Sequence, residues 1–233
     1  MAIITDEAVI LRAIKHGDTS KIITVYSKNN GKINCIVKGA RNLKSKVLGV
    51  IEPFNHITIV FYNKQNRELQ MLSKAETIKN FAAIKTDLDK LTVSYRILEM
   101  LNKAVYDKEH SHELFDLLLK IFAYIDDLSE EDESVCYLYF QIHLCRVLGI
   151  SPIDFTGENI NETGSYETRE ITISGNQSET IRHLFECEIA EIDRNHIKSE
   201  TISDLMSIYD KYIAGHTENF FKLKSVNVFN QMI

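Results

Sequence analysis

The chain has 233 residues, 44% of them apolar, with four cysteines and a net charge of −6, and that length buries a core without disulfide or metal staples. Cys35, Cys136, Cys145 and Cys187 stand far apart with no C-x-x-C pair, which excludes a zinc ribbon and a secreted disulfide framework and leaves reduced core thiols. The negative average argues against nucleic acid, but residues 1–80 hold 13 Lys and Arg against 6 Asp and Glu, while the rest hold 14 against 27. A basic front of +7 followed by an acidic back of −13 implies a polyanion-binding part joined to a part with another task.

The N-terminus, MAIITDEAVILRAIKHG, places acids ahead of its short apolar run and lacks a basic start and a small-residue cleavage site, so it is not read as a signal peptide. No apolar run is long enough to cross a bilayer, and a cytoplasmic, nucleoid-associated protein is expected. From Ala8 to Glu76 five runs read as strands: AVILRAI, KIITVYS, KINCIVK, HITIVFY and ELQML. In the third, Ile33, Cys35 and Val37 alternate with Lys32, Asn34, Ile36 and Lys38. HGDTS, KNNG and NKQN supply turns. The third and fourth runs are joined instead by a long connection that ends at Pro53, which cannot donate to a sheet ladder. Five short strands with one long connection suit a small barrel of the oligonucleotide/oligosaccharide-binding (OB) type.

After Asn80 the period becomes helical. Leu91, Tyr95, Leu98, Leu101 and Val105 share one face of a helix. SHELFDLLLKIFAYI and SEEDESVCYLYFQIHLCRVLG follow, the second opening at Ser129 with acids in its first turn and closing at Gly149 before Pro152. Residues 153–178 form a poorly patterned insertion, a loop or small hairpin with one strand-like run at Glu170–Ile173. Helices are expected around Thr180–Phe185 and Ile197–Ala214, ending at Gly215. The fold class is therefore α+β: an N-terminal five-stranded OB barrel over residues 1–80 and a mainly helical domain over residues 81–233.

The order GDTSKIITVYSKNNGKINCIVKGARNLKS, EPFNHITIVF and RELQMLSKAE resembles the N-terminal barrel of the RecO family of recombination mediators. LCRVLGISP and YIAGHTENFFKLKS are similar to segments of that family's helical region. The resemblance implies a non-enzymatic protein of DNA repair and recombination after DNA damage. Such a protein binds single-stranded DNA, with double-stranded DNA as a second candidate, anneals complementary strands and, with RecR, helps load RecA onto DNA coated by single-strand-binding protein, whose C-terminal tail it recognises. Many members of the family carry a zinc-binding cysteine cluster soon after the segment matching LGISP. Here the positions after Pro152 read IDFTGENINETG, with no cysteine or histidine, so no cofactor is expected. His183 and Cys187 stand at i and i+4, but two ligands do not make a structural zinc site.

The stretch VKGARNLKSKVLG could be mistaken for a nucleotide loop, yet the second glycine of G-x-x-x-x-G-K-[ST] is absent. Its charges suit a polymeric polyanion better. Lys38, Arg41, Lys44 and Lys46 are the first candidates for phosphate contact, in a connection flexible enough to track a backbone, with Gly39 allowing close approach. Lys15 and Lys21, beside the GDT turn, and Lys74, at the end of the fifth strand, are further candidates; exposed lysines that merely keep the protein soluble are the alternative. Tyr62 and Tyr26 could stack on bases or be ordinary half-buried strand aromatics. Phe61 and Phe54 are assigned to the barrel interior and its rim. Arg96, Lys103 and Arg146 are the helix cations open to a partner's tail. No catalytic motif is present: there is no H-E-x-x-H and no G-x-S-x-G, and SEEDES reads as a helix start. A non-catalytic OB adaptor that binds protein or RNA remains the alternative function.

Overall fold

The computed structural model describes residues 2–42, 45–64, 67–129, 133–153, 166–167, 172–193 and 197–217. Five strands come first: β1 (Ala2–His16), β2 (Ser20–Ser27), β3 (Gly31–Val37), β4 (His56–Asn63) and β5 (Leu69–Lys79). They close into a barrel in the order β1-β2-β3-β5-β4, with β4 returning to β1. Every neighbouring pair is antiparallel except β3 and β5. The alternation read in β3 holds: Ile33, Cys35 and Val37 are buried with Ala8, Ile10, Ile23, Val25, Ile57, Ile59 and Phe61 in the barrel interior. Burial pushes the Cys35 and Cys145 thiols up to about 12, so both behave as inert core thiols.

Two strands exceed their expected bounds. β1 starts at Ala2 because its two acids are satisfied. Asp6 accepts hydrogen bonds from Ser27 Oγ, from Asn30 Nδ2 at 2.6 Å and from Asn29 Nδ2 at 2.6 Å, while Glu7 meets His56 at 3.2 Å. β5 runs on to Lys79 because β4 continues to pair with it, as far as His56 with Lys79.

A bulge between Ile10 and Arg12 interrupts the β1–β2 register. It shifts the inward phase of β1 from Ala8 and Ile10 to Ala13, while Val9 and Leu11, on the outer face before it, are buried with the helices rather than with the barrel core. Helices α1 (Ala82–Thr86), α2 (Leu88–Ala104), α3 (His112–Asp127), α4 (Glu133–Val147), α5 (Gly175–Glu186) and α6 (Ser199–His216) make up the rest, with the short pairing of β6 (Tyr166–Glu167) and β7 (Thr172–Ile173) between α4 and α5. Asp87, Ser111 and Ser174 cap α2, α3 and α5 through their side chains. Helix α4 is buried from Val135 through Cys145 and packs against α2, α3, α5 and α6, so it carries no polar stripe. Gly149, at φ +68°, ends it, and Ile150 N donates back to Cys145 O at 2.9 Å. Gly215 does not stop α6, which reaches His216.

Lysines join the elements. Lys32 Nζ on β3 donates to the carbonyls of Asn102 and Val105 at 2.9 and 2.5 Å, at the C-terminal end of α2, and pairs with Asp107 at 3.5 Å. Lys90 Nζ does the same for the end of α3, donating to Asp126 O and Leu128 O at 3.2 and 2.5 Å. A cation at a helix C-terminus satisfies the last carbonyls and the negative end of the dipole together.

His143 lies buried inside the helices between Tyr139, at 4.1 Å, and Phe185, stacked at 5.9 Å, and its Nε2 donates to Leu184 O at 3.1 Å. Burial pushes its pKa down to about 4 from 6.5, with Arg146 and Lys120 adding to the shift and the Leu184 bond opposing it. Below pH 6.5 the unfolded chain therefore takes up a proton that the folded chain refuses. Stability is full above pH 6.5 and falls as pH drops toward 4, by on the order of 3 kcal/mol from this group. Urea midpoints of the wild type and of His143→Phe, measured at pH 7.5 and 4.5, are expected to show a distinctly smaller acid loss in the variant. Equal losses would show that His143 titrates normally.

Candidate nucleic-acid interface

Four basic residues of the front, Lys15, Lys21, Lys38 and Arg41, converge on one end of the barrel because of strand register and one side chain. Lys15 and Lys21 are direct partners across β1 and β2, and Lys21 is also the partner of Val37, the last residue of β3. Lys38 follows immediately and is exposed. Arg41 then draws the connection onto the β1–β2 turn: its Nη1 donates to Gly17 O at 2.8 Å and its backbone N to Thr19 O at 2.8 Å. Gly17 and Gly39 have φ +55° and +68°, so both bends depend on the left-handed conformation open to glycine. Lys46 is exposed farther along the connection, and Lys44 lies outside the described residues.

The connection is not the freely tracking loop expected. Asn42 N donates to Gly39 O, Ser45 N to Asn42 O and Val50 N to Val47 O, at 3.2, 2.8 and 3.1 Å. Ala40 and Ile51 are buried in the barrel core, and Asn55 Nδ2 holds the carbonyls of Gly49 and Val50 at 2.8 and 3.0 Å. Among the described residues this is a pinned series of turns that presents Lys38 and Lys46 from a hydrogen-bonded backbone. Gly39 serves the turn itself: a Cβ there would meet Asn42 Nδ2 at 3.3 Å.

Other expected residues stand elsewhere. Lys74 is in the middle of β5, not at its end, and pairs with Glu76 at 2.6 Å; a surface pair of this kind contributes little. Tyr26 is no base platform. It is 1% exposed, its OH accepts from Ser111 N at 3.0 Å, and its ring lies 6.5 Å from Phe115. Alternation alone placed it on the outside, and the helices cover that part of the outside. Tyr62 is half-buried on the outer face. Phe61 is interior as expected, but Phe54 is not at the rim. At φ +71° it points into the helical core, edge-on to Tyr95 at 4.7 Å and to Phe122 at 5.8 Å.

The helix cations are already committed. Arg96 lies 4.0 Å over the Tyr137 ring and reaches Asp210 at 3.2 Å, and Asp210 also accepts from Tyr137 OH at 2.6 Å and Gln141 Nε2 at 2.7 Å. Burial raises the Asp210 pKa against those three partners. Lys103 pairs with Glu99 and Arg146 with Glu113. A cavity of about 450 Å³ between α5 and the start of α6 mixes Lys198 and His183 with Glu179 and Asp193, so its lining shows no preference for an acidic peptide. His183 Nδ1 and Cys187 Sγ do meet, at 3.4 Å, but among the described residues no three His, Cys, Asp or Glu are grouped to hold a metal. Nor is any described helix long and apolar enough to cross a membrane.

A closed five-stranded barrel in the 1-2-3-5-4 order, carrying a cationic end beside its first turn, defines a barrel of the OB class joined to a helical bundle. Comparison with known proteins narrows the class. Residues 1–81 match the family model for the recombination protein O N terminal, and residues 85–156 match that for its C terminal. The chain is 27% identical to the DNA repair protein RecO of Chlorobium limicola, over 95% of this chain and 89% of that one. It is 23% identical to the RecO of Chloroherpeton thalassium over 97% and 98%. With the RecO of Salinibacter ruber it shares 30% identity over 65% of this chain, a match spanning 58% of that relative's length. The chain belongs to the RecO family, and that membership supports a role in DNA repair and recombination.

Proposed function

We propose that this chain is a non-enzymatic recombination mediator that binds single-stranded DNA without regard to sequence through the basic end of its barrel and anneals complementary strands. The observation that carries the reading is the gathering of Lys15, Lys21, Lys38 and Arg41 at one barrel end, fixed by strand register and by the Arg41–Gly17 bond. Lys46 extends that surface along the connection, and Lys44, outside the described residues, is counted with it from the sequence. Cations aimed at phosphates release counterions whatever the sequence, and they relieve the repulsion between two strands while leaving base edges free to pair. Double-stranded DNA offers the same phosphates and is a second substrate of this surface.

The acidic helical part is the protein-docking half. Its partners are RecR and the C-terminal tail of single-strand-binding protein, with RecA engaged indirectly. Arg96, Lys103 and Arg146 would have to exchange their present carboxylates to hold such a tail. No zinc is assigned to this chain: the twelve residues after Pro152, IDFTGENINETG, supply no thiolate or imidazole ligand.

The test is annealing of complementary oligonucleotides, first bare and then coated with single-strand-binding protein. Acceleration of both is expected, with RecR required for full RecA loading in a coupled assay. Failure to bind or anneal bare strands at low salt would refute the DNA reading, whereas annealing of bare strands alone would remove the coated-strand role.

A further inference from the structure

Helix α2 leaves part of its apolar surface uncovered. Leu88 is 65% exposed and Tyr95 43%, and among the described residues no other helix exposes a large apolar side chain to that degree. With Thr92 and Glu99 they follow at spacings of four, three and four, along one strip of the helix. The strip has two walls. On one flank Arg96 reaches Asp210 of α6 at 3.2 Å. On the other, Phe54 stands edge-on to Tyr95 at 4.7 Å, and Glu52 of the same connection pairs with Lys85 at 3.4 Å.

The course of α6 brings its end to the head of this strip. Gln141 Nε2 donates to Met206 O at 3.1 Å and Tyr137 OH to Asp210 at 2.6 Å, so α6 runs antiparallel to α4. Arg146, near the end of α4, pairs with Glu113 at the start of α3, and Lys90, at the start of α2, caps the end of α3. Helices α2 and α4 are therefore parallel, and α6 is antiparallel to both. From the Arg96–Asp210 contact α6 heads for the first turn of α2, where Leu88 stands. Seven residues lead from Asp210 to Thr217 and eight from Arg96 back to Leu88, about 10 and 12 Å of helix.

The sequence continues beyond Thr217 for 16 residues, ENFFKLKSVNVFNQMI, half of them apolar, with Lys222 and Lys224 against Glu218. That composition is too apolar for a segment surrounded by water alone. The strip is bordered by the opposite charge. Asp87 and Asp89 flank Leu88, Glu99 follows Tyr95 by one turn, and Glu52 lies close enough to Tyr95 to add to the upward push that burial gives its hydroxyl. Fully extended, 16 residues reach about 50 Å, several times the roughly 10 Å from Leu88 to Tyr95.

We propose that residues 218–233 turn back over α2 and cover Leu88 and Tyr95, with Phe220 and Phe221 on the apolar strip and Lys222 and Lys224 against the acids that border it. The segment then closes the groove between α6 and the connection to other chains. This cover and the DNA reading stand independently of each other.

Leu88→Cys, at an exposed site, places a thiol on the strip. Its labelling by a maleimide in the full-length protein is followed by peptide mass, so that Cys187 is counted separately. Labelling is expected to be about tenfold slower than in the same protein carrying Phe220→Asp and Phe221→Asp, the protection given by burying one phenylalanine. Tyr106→Cys, just past the other end of α2 and 51% exposed, should label equally fast in both. Leu88→Cys combined with Phe221→Cys should form a disulfide within one molecule in oxidised glutathione, and Tyr106→Cys combined with Phe221→Cys should not. Equal labelling of Leu88→Cys with and without the aspartates would overturn the cover. Protection that vanishes on dilution, or disulfides formed only between molecules, would assign the strip to a second copy and overturn it as well. If the aspartates prevent folding, the two disulfide pairs decide the matter by themselves.

Discussion

Gly31→Ala is expected to destabilise the protein by about 3–4 kcal/mol, the largest cost of an added methyl at any described glycine. Gly31 opens β3 at φ +65°, and a Cβ there would lie 2.2 Å from Glu109 O, 2.5 Å from Glu109 C and 2.8 Å from Lys108 C. Those atoms are backbone, and they are held from two directions. Lys108 N donates to Lys32 O at 3.1 Å, and Lys32 Nζ grips the end of α2 just before this segment. The segment therefore cannot retreat without releasing the barrel from the helices. The left-handed backbone alone costs a non-glycine residue about 1–2 kcal/mol, and forced overpacking adds about 1–3 kcal/mol. Gly17 supplies the control: it too has a positive φ, +55°, but nothing lies within 4 Å of its Cβ position, so Gly17→Ala should cost only the backbone share. Urea midpoints measure both. Similar costs for the two substitutions would show that the close approach at Glu109 relaxes freely.

The junction at Gly31 illustrates what alternation along the chain could and could not disclose. The inward residues of β3 and β4 were readable because a barrel interior admits only one face of each strand, and Ile33, Cys35, Val37, Ile57, Ile59 and Phe61 obey it. The outward residues were not, because water covers one part of the exterior and helices cover another. Tyr26 and Tyr62 have the same strand phase relative to their neighbours, yet Tyr26 is sealed under α3 and Tyr62 is half-open. The same limit affected α2. Its spacing selected Leu91, Tyr95, Leu98, Leu101 and Val105; Leu98, Leu101 and Val105 are buried, but the buried face also takes in Val93, Ile97, Met100 and Ala104, and Tyr95 is 43% exposed. Two polar residues moved the face: Lys90 turns inward to cap α3, and Ser94 is buried where a pattern of apolar letters would not place it. In the candidate interface the positive charges were legible one by one. That Arg41 is also a clasp was not, since its partner is a backbone carbonyl, which has no signature in the sequence.

That double role of Arg41 shapes the outcome expected of the basic cluster. With Lys38, Arg41, Lys44 and Lys46 replaced by alanine, the slope of log Kd against log salt for single-stranded DNA should fall by roughly 2.8, about 0.7 for each phosphate contact removed. Lys38→Ala, Lys44→Ala and Lys46→Ala singly should each lower the slope by about 0.7 and weaken binding in step, irrespective of base composition. Arg41→Ala should lower the slope by the same increment yet weaken binding more than any of the lysines. Losing its bond to Gly17 O frees the connection from the β1–β2 turn, so the remaining cations must be ordered when DNA binds. Arg41→Lys separates the two contributions: it keeps the charge and hence the slope, but a point-charge ammonium does not reproduce the guanidinium's directed contact. Lys15→Ala with Lys21→Ala should remove up to a further 1.4 from the slope, whereas Lys74→Ala should change it little because Glu76 already lies 2.6 Å from that ammonium. Salt titrations of an oligothymidylate measure every member of the series. An unaltered slope and low-salt affinity in the fourfold variant would show that DNA is bound elsewhere on the molecule.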